Sequence, residues 1–132
     1  MGFTFSKEER LCSCTLIDSL YADGHRLMAF PYSVLWQKVD SQPPCKVLII
    51  APKRRFHHAV DRNHIKRLTR ECYRLLKPSL LEFLQEHGIS ITLSLVYVHT
   101  EIMTYEQLLH KMEKLMAALK EDILKKLDNE AV

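Results

Sequence analysis

No apolar run in this 132-residue chain approaches the ~20 residues that a membrane-spanning helix needs. Met1–Arg10 also lacks the basic start and apolar core of a secretory signal, so a cytoplasmic location is the expectation. Cysteine is sparse and scattered. The four residues at 12, 14, 45 and 72 form neither a disulfide framework nor a CxxC pair of the kind that holds structural zinc. Cys12 and Cys14 would lie about 200° apart on a helix, too divergent to share a small ligand, and helix filler is their expected role. Internal repeats and low-complexity segments are missing too. With 47% hydrophobic residues the chain is not disordered. Its length suits one domain, 1–132, with a single modest core.

One stretch is short of acids. Between Lys53 and Arg74 stand eight Lys or Arg against two acids, a local balance of +6. The whole chain carries only +3, so the remainder sums to −3. A concentrated positive surface on a mildly acidic body points to a polyanionic partner.

Periodicity sharpens that reading. Ala59–Leu76 holds neither glycine nor proline, and helix formers dominate it. On a helical wheel Ile65, Leu68, Cys72, Leu75 and Leu76 share one arc, a core-facing stripe. Arg62, Lys66, Arg70 and Arg74 follow one another at i, i+4, with Asn63 and Arg67 beside them. Like charges at this spacing repel by a few tenths of a kcal/mol, roughly, per pair, and a phosphate backbone would offset that cost. The bland alternative is a solvated face with a chance run of arginine. The charge imbalance and its separation from the apolar arc argue against it. The arc carries no Trp or Phe anchor of an interfacial helix, which leaves nucleic acid rather than a membrane.

The residues Lys53-Arg54, Ala59-Val60, Arg62-Asn63, Lys66-Arg67 and Arg70-Glu71 resemble the RNR motif of the protein subunit of bacterial ribonuclease P. The resemblance implies a small basic protein, monomeric when alone, that binds a catalytic RNA and the 5′ leader of precursor tRNA. The RNA then carries the Mg2+ ions and the chemistry of leader removal, and the protein supplies no catalytic side chain and no metal site. Arg62, Asn63, Lys66, Arg67 and Arg70 match positions that face the RNA, with Arg74 continuing the row. Lys53, Arg54 and Arg55 match the basic end of the preceding strand. Ile17 and Tyr21, between Arg10-Leu11 and Gly24, match two aromatic positions lining the leader cleft. The chain departs from the pattern in having Ile17 for an aromatic, His57 for a frequent glycine, and Cys12-Ser13-Cys14 where basic residues are common.

The rest of the chain reads in order. Ser6 with Glu9 is a capping box opening a helix over Lys7–Ala22, which Asp23-Gly24 ends. Arg26–Val39 is extended, with a bend or an edge position at Pro31, and 40–44 is a loop. Lys46–Ala51 is an apolar run suited to a central strand. The basic helix spans His58–Leu76, Lys77-Pro78 marks a break or kink, and Ser79–His87 resumes a helical pattern that Gly88 caps. Ile89–Val98 alternates with period two, a half-buried strand. Thr104 with Gln107 is a second capping box before an amphipathic helix on Leu108, Met112, Leu115, Leu119, Ile123 and Leu127, with a frayed tail over Asp128–Val132. The fold class is therefore α+β: one small domain of order α-β-β-β-α-β-α, with helices packed on a four-stranded sheet. The resemblance adds a ribosomal-protein-like left-handed βαβ crossover, where the general rule is right-handed.

Three further constellations have both a functional and a plainer reading. His57, His58 and His64 lack the spacing of metal ligands and extend the basic patch instead. Asp61 and Glu71 are too few and too far apart for a two-metal nuclease; Asp61 complements the helix dipole and Glu71 pairs with Arg67 or Arg74. Tyr32 and Trp36 share one face of the extended segment. Such a pair is more often core, but beside Tyr21 it would form a stacking surface for single-stranded RNA. The runner-up function is a free-standing RNA- or DNA-binding module using helix 58–76. Replacing Arg62, Lys66 and Arg67 should weaken RNA binding without disturbing the fold.

Overall fold

The computed structural model describes residues 14–39 and 45–130. The Ser6/Glu9 capping pair, Arg10-Leu11, Cys12, the loop 40–44 and residues 131–132 lie outside them. The elements are α1 (Cys14–Asp23), β1 (His25–Ala29), β2 (Tyr32–Val39), β3 (Cys45–Ile50), α2 (Ala59–His87), β4 (Ser90–Tyr97) and α3 (Tyr105–Glu130). Their order is the expected one.

The strands lie side by side as β1-β2-β4-β3. β1 and β2 form a hairpin that turns at Phe30-Pro31, the point where the sequence called for a bend, with Ala29 opposite Tyr32. β2 pairs antiparallel with β4, from Tyr32 opposite Tyr97 to Val39 opposite Ser90. β4 pairs parallel with β3, from Cys45 opposite Ile91 to Ile50 opposite Val96. α2 is the crossover that parallel neighbours require.

Strand alternation divides the side chains between two layers. Tyr32, Val34 and Trp36 of β2, Val47 of β3 and Ile91, Leu93, Leu95 and Tyr97 of β4 join Ile65, Cys72, Tyr73, Leu80 and Leu84 of α2 and Leu108 to Ile123 of α3 in the main core. On the other face Leu35 packs with Leu20 of α1, flanked by Leu16, Ile17 and Leu48. The sheet thus lies between α1 and the α2/α3 pair.

Several expectations are corrected. The apolar run at 46–51 is an edge strand, not a central one; β4 is central and buried on both faces. Ser90, Thr92 and Ser94 look solvent-facing in the sequence but are buried. Small hydroxyl side chains leave room for a covering layer. α2 runs unbroken through Lys77-Pro78. Proline costs a helix one hydrogen bond, and Lys77, Leu80 and Leu84, all buried around it, hold the axis in place. α3 continues to Glu130 instead of fraying from Asp128.

The ends of the helices follow the local chemistry. Gly88 caps α2 in the left-handed region (φ 63°, ψ 35°), its N–H donating to the Gln85 carbonyl while that of Ile89 reaches Leu84. The Thr104/Gln107 box is reciprocal. The Thr104 N–H donates to Gln107 Oε1 at 3.1 Å, and the Gln107 N–H to Thr104 Oγ1 at 3.3 Å.

Candidate nucleic-acid interface

β3, β4 and the β1–β2 hairpin all end at one rim of the sheet, and α2 begins there. After Ile50 the chain turns through Pro52, whose carbonyl accepts from the N–H groups of Arg55 and Phe56. This tight turn leaves Lys53 and Arg54 exposed and Arg55 partly so. Phe56 folds inward as a buried plug against Tyr97, ring centroids 5.9 Å apart.

The start of α2 has no side-chain cap, because His58 stands at the N-cap and makes no such bond. Arg62 secures this region in another way, as a donor to the carbonyls before the helix. Its Nη1 donates to the carbonyls of Phe56 at 2.9 Å and His57 at 3.0 Å. Arg62 precedes Ile65 by three and Thr69 by seven, so it leaves the helix on the face that is buried further along. Besides its expected place among the RNA-facing cations, Arg62 thus fastens the basic turn to the helix.

The other cations line up beside it. Lys66, Arg70 and Arg74 are partly exposed, and Asn63 and Arg67 are exposed. Arg70 Nε donates to the Lys66 carbonyl at 3.3 Å, which lays its side chain back along the helix. Arg67 Nη2 lies 3.2 Å from His64 Nδ1. Glu71 pairs with Arg74 at 2.8 Å, one of the two partners expected for it. The buried stripe runs through Ile65, Thr69, Cys72, Tyr73 and Lys77. Leu75, placed in the apolar arc by the wheel, is exposed. The cationic row therefore flanks the packed face instead of opposing it.

The four residues expected to line a second, aromatic cleft do not come together. Ile17 and Tyr21 lie one turn apart on α1. Ile17 is partly buried against Leu20 and Leu35, and Tyr21 is 51% exposed. Tyr32 and Trp36 lie on the opposite face of the sheet, 0% and 2% exposed. The Tyr32 hydroxyl bonds Thr69 at 2.7 Å, and Trp36 Nε1 donates to Asp122 Oδ2 at 2.8 Å. Burial pushes the Tyr32 phenol well above its ordinary pKa. Neither ring offers a face to a base, so the core reading of this pair is the right one. Even spacing showed that they share a face but not which helix covers it.

The α1 side of the sheet carries the odd-numbered β2 residues instead. Gln37 and Thr92 are paired across the strands, as are Leu35 and Ser94. Gln37 Oε1, Thr92 Oγ1 and Ser94 Oγ are buried without a hydrogen-bond partner among the described residues. This polar row was missed in the sequence. Its only signal was the Ser/Thr alternation of β4.

Among the described residues no three His, Cys, Asp or Glu side chains converge where an ion could sit. No described helix is long and apolar enough to cross a membrane.

A family model described as Ribonuclease P matches residues 5–120. A "Ribonuclease P protein component" of Porphyromonas gingivalis is 32% identical over 114 residues, covering 85% of this chain and 83% of that protein. One from Chlorobium phaeobacteroides is 26% identical over 117 residues, covering 83% and 80%. Among solved structures, the RNase P protein of Staphylococcus aureus superimposes with a TM-score of 0.69 at 21% identity, over 86% of this chain and 97% of that one. That of Thermotoga maritima gives 0.61 at 18% identity, over 82% and 94%.

Proposed function

This chain belongs to the ribonuclease P family, and from that membership we propose how its surfaces divide the work of tRNA 5′ maturation. It is a protein subunit of the ribonuclease P holoenzyme, an endoribonuclease, in which its role is accessory. The Lys53–Arg55 turn and the row Arg62, Asn63, Lys66, Arg67, Arg70 and Arg74 dock the catalytic RNA through its phosphates. Such contacts position an RNA and read little of its sequence. The observation that carries this reading is the one-sided clustering of these cations at and below the rim where α2 begins.

The 5′ leader of precursor tRNA lies on the α1 side of the sheet. Tyr21 is the exposed aromatic there, and Ile17 supplies apolar contact without stacking. The Gln37, Thr92 and Ser94 oxygens, without a partner among the described residues, are polar groups on that side of the sheet. The Mg2+ that the reaction uses resides on the RNA. The protein works in the cytoplasm and is monomeric when alone.

Reconstitution tests the reading. The purified protein is mixed with the ribozyme RNA of its own organism at low magnesium, and cleavage of a precursor tRNA is followed. Increased turnover at the mature 5′ end, which neither component gives alone, is the expected result. Binding without any change in cleavage across magnesium concentrations would favour a general RNA-binding module. Cleavage by the protein alone would refute the division of labour.

A further inference from the structure

The rim that carries the basic turn also carries an exposed aromatic that the reading above does not use. Phe30 stands at the tip of the β1–β2 hairpin and is 49% exposed, in a turn where most chains place small or polar residues. It is not loose. The Val98 N–H donates to the Pro31 carbonyl at 2.8 Å, tying the tip to the end of β4. The His99 ring abuts Phe30 with centroids 4.9 Å apart and planes inclined at 60°. His99 in turn lies 6.4 Å from the Tyr97 ring, and Tyr97 lies 5.9 Å from Phe56. The last of these rings belongs to the residue whose carbonyl Arg62 holds. A chain of ring contacts therefore leads from the exposed Phe30 to the plug beneath Lys53–Arg55.

The strand order puts these groups in a line along the rim: the hairpin tip, then the end of β4, then the end of β3 with its basic turn. The step from β2 to β3 is two strand spacings, on the order of 10 Å, within reach of a short single-stranded segment. The inclined contact from His99 braces the ring, about half of which stays open to solvent. A braced, exposed aromatic ring beside a cluster of cations is the combination that single-stranded nucleic acid requires, since bases stack while phosphates pair with Lys and Arg.

We infer that Phe30, braced by His99, is a stacking platform for one base of a single-stranded RNA segment whose neighbouring phosphates lie on Lys53, Arg54 and Arg55. This rests on the reading that those cations face RNA. The site lies at the sheet rim, on a different element from Ile17 and Tyr21 of α1. Stacking tolerates any base, so the platform adds affinity without sequence preference.

The test uses the full chain and fluorescein-labelled single-stranded ribo-decamers, one of oligo-adenylate and one abasic throughout, titrated over a range of salt. Phe30→Ala is expected to weaken oligo-adenylate binding by about tenfold or more with an unchanged salt slope, and to leave the abasic strand unaffected. Phe30→Trp should restore binding. Phe30→Leu, which keeps apolar bulk without a π face, should behave like Phe30→Ala, and thermal unfolding identifies any variant that is misfolded. Equal affinity of Phe30→Leu and the parent for oligo-adenylate would overturn the inference. A loss shared by the abasic strand would overturn it as well, because Phe30 would then act by shaping the basic turn. A Lys53→Ala/Arg54→Ala double variant is run in parallel. If its salt slope matches the parent's, the RNA-facing reading itself fails; if its slope falls while Phe30→Leu is silent, only the platform fails.

Discussion

The Tyr32 hydroxyl lies 2.7 Å from that of Thr69, 37 positions away, and both residues are fully buried. This bond ties the start of β2 to the packed face of the basic helix, which the cations flank. Tyr32→Phe strips Thr69 of its partner while leaving the ring in place. The expected cost is about 1–3 kcal/mol of stability, read from urea denaturation, with no change in the salt dependence of RNA binding. Adding Thr69→Val should recover most of the loss, since two apolar groups of similar shape leave nothing unsatisfied. A double variant less stable than either single one would show that the hydroxyls have other work.

The cations of α2 should separate into two kinds. Lys66→Ala and Arg67→Ala should each lower the slope of log affinity against log salt by about 0.7–0.9 per lost phosphate contact, with unfolding unchanged. Arg62→Ala should also speed amide hydrogen exchange across the Arg55–Arg62 turn, because the Phe56 and His57 carbonyls lose their donor. Equal exchange in all three variants would leave Arg62 a simple phosphate ligand.

Cys72 is buried with its thiol pushed up to about 11, chiefly by desolvation and secondarily by the nearby Glu71. At pH 8 the native protein should resist iodoacetamide at Cys72 and at the equally buried Cys45, and both should react in urea. The sign of the alkaline effect follows from linkage. The unfolded thiol ionises near pH 8.5–9, so the stability tied to keeping Cys72 protonated is fully present below that range. It is lost as pH rises toward 11. Cys72→Ala should flatten stability over this window. An unchanged profile would place the alkaline titration elsewhere.

Two glycines should respond differently to alanine. At Gly88 the surroundings are open and only the positive φ is at issue, so the cost should be about 1 kcal/mol. At Gly24 a methyl group would run into the Leu20 carbonyl oxygen, which accepts the Gly24 N–H at 2.8 Å. Gly24→Ala should cost more and should shift α1 against Leu35. Differential scanning calorimetry of the two variants ranks them, and a costlier Gly88 variant would contradict the geometry.

The sequence was most legible where local chemistry decides the outcome. The Thr104/Gln107 box, the Gly88 cap and the turn at Pro31 are each set by a few adjacent residues. Element order followed from periodicity. Lateral strand order did not, because Val47–Ile50 looks more buried than Ser90–Ser94, yet β4 holds the centre. A run of apolar residues reports affinity for a core but not which neighbours supply it. The same limit applies to Tyr32 and Trp36: alternation put them on one face, and only the placement of Thr69 and Asp122 shows that α2 and α3 cover it. The cationic row was legible as a row. The bonds that turn Arg62 toward Phe56 join a loop to a helix, and spacing within the helix cannot reveal them.

α2 spans 29 residues, roughly 43 Å at the rise of an α-helix, whereas the strands have at most eight residues, about 27 Å. Its accessible cations stop at Arg74, and Lys77, Leu80 and Leu84 beyond them are buried. One rod thus answers to two selective regimes. The exposed side of the first half can drift with the shape of its RNA so long as charge is kept, while Ile65, Thr69, Cys72 and Tyr73 on its inner side stay bound to the core. The second half can drift only in step with α3. A lineage can therefore retune its nucleic-acid partner through the exposed positions of the first half without renegotiating its core.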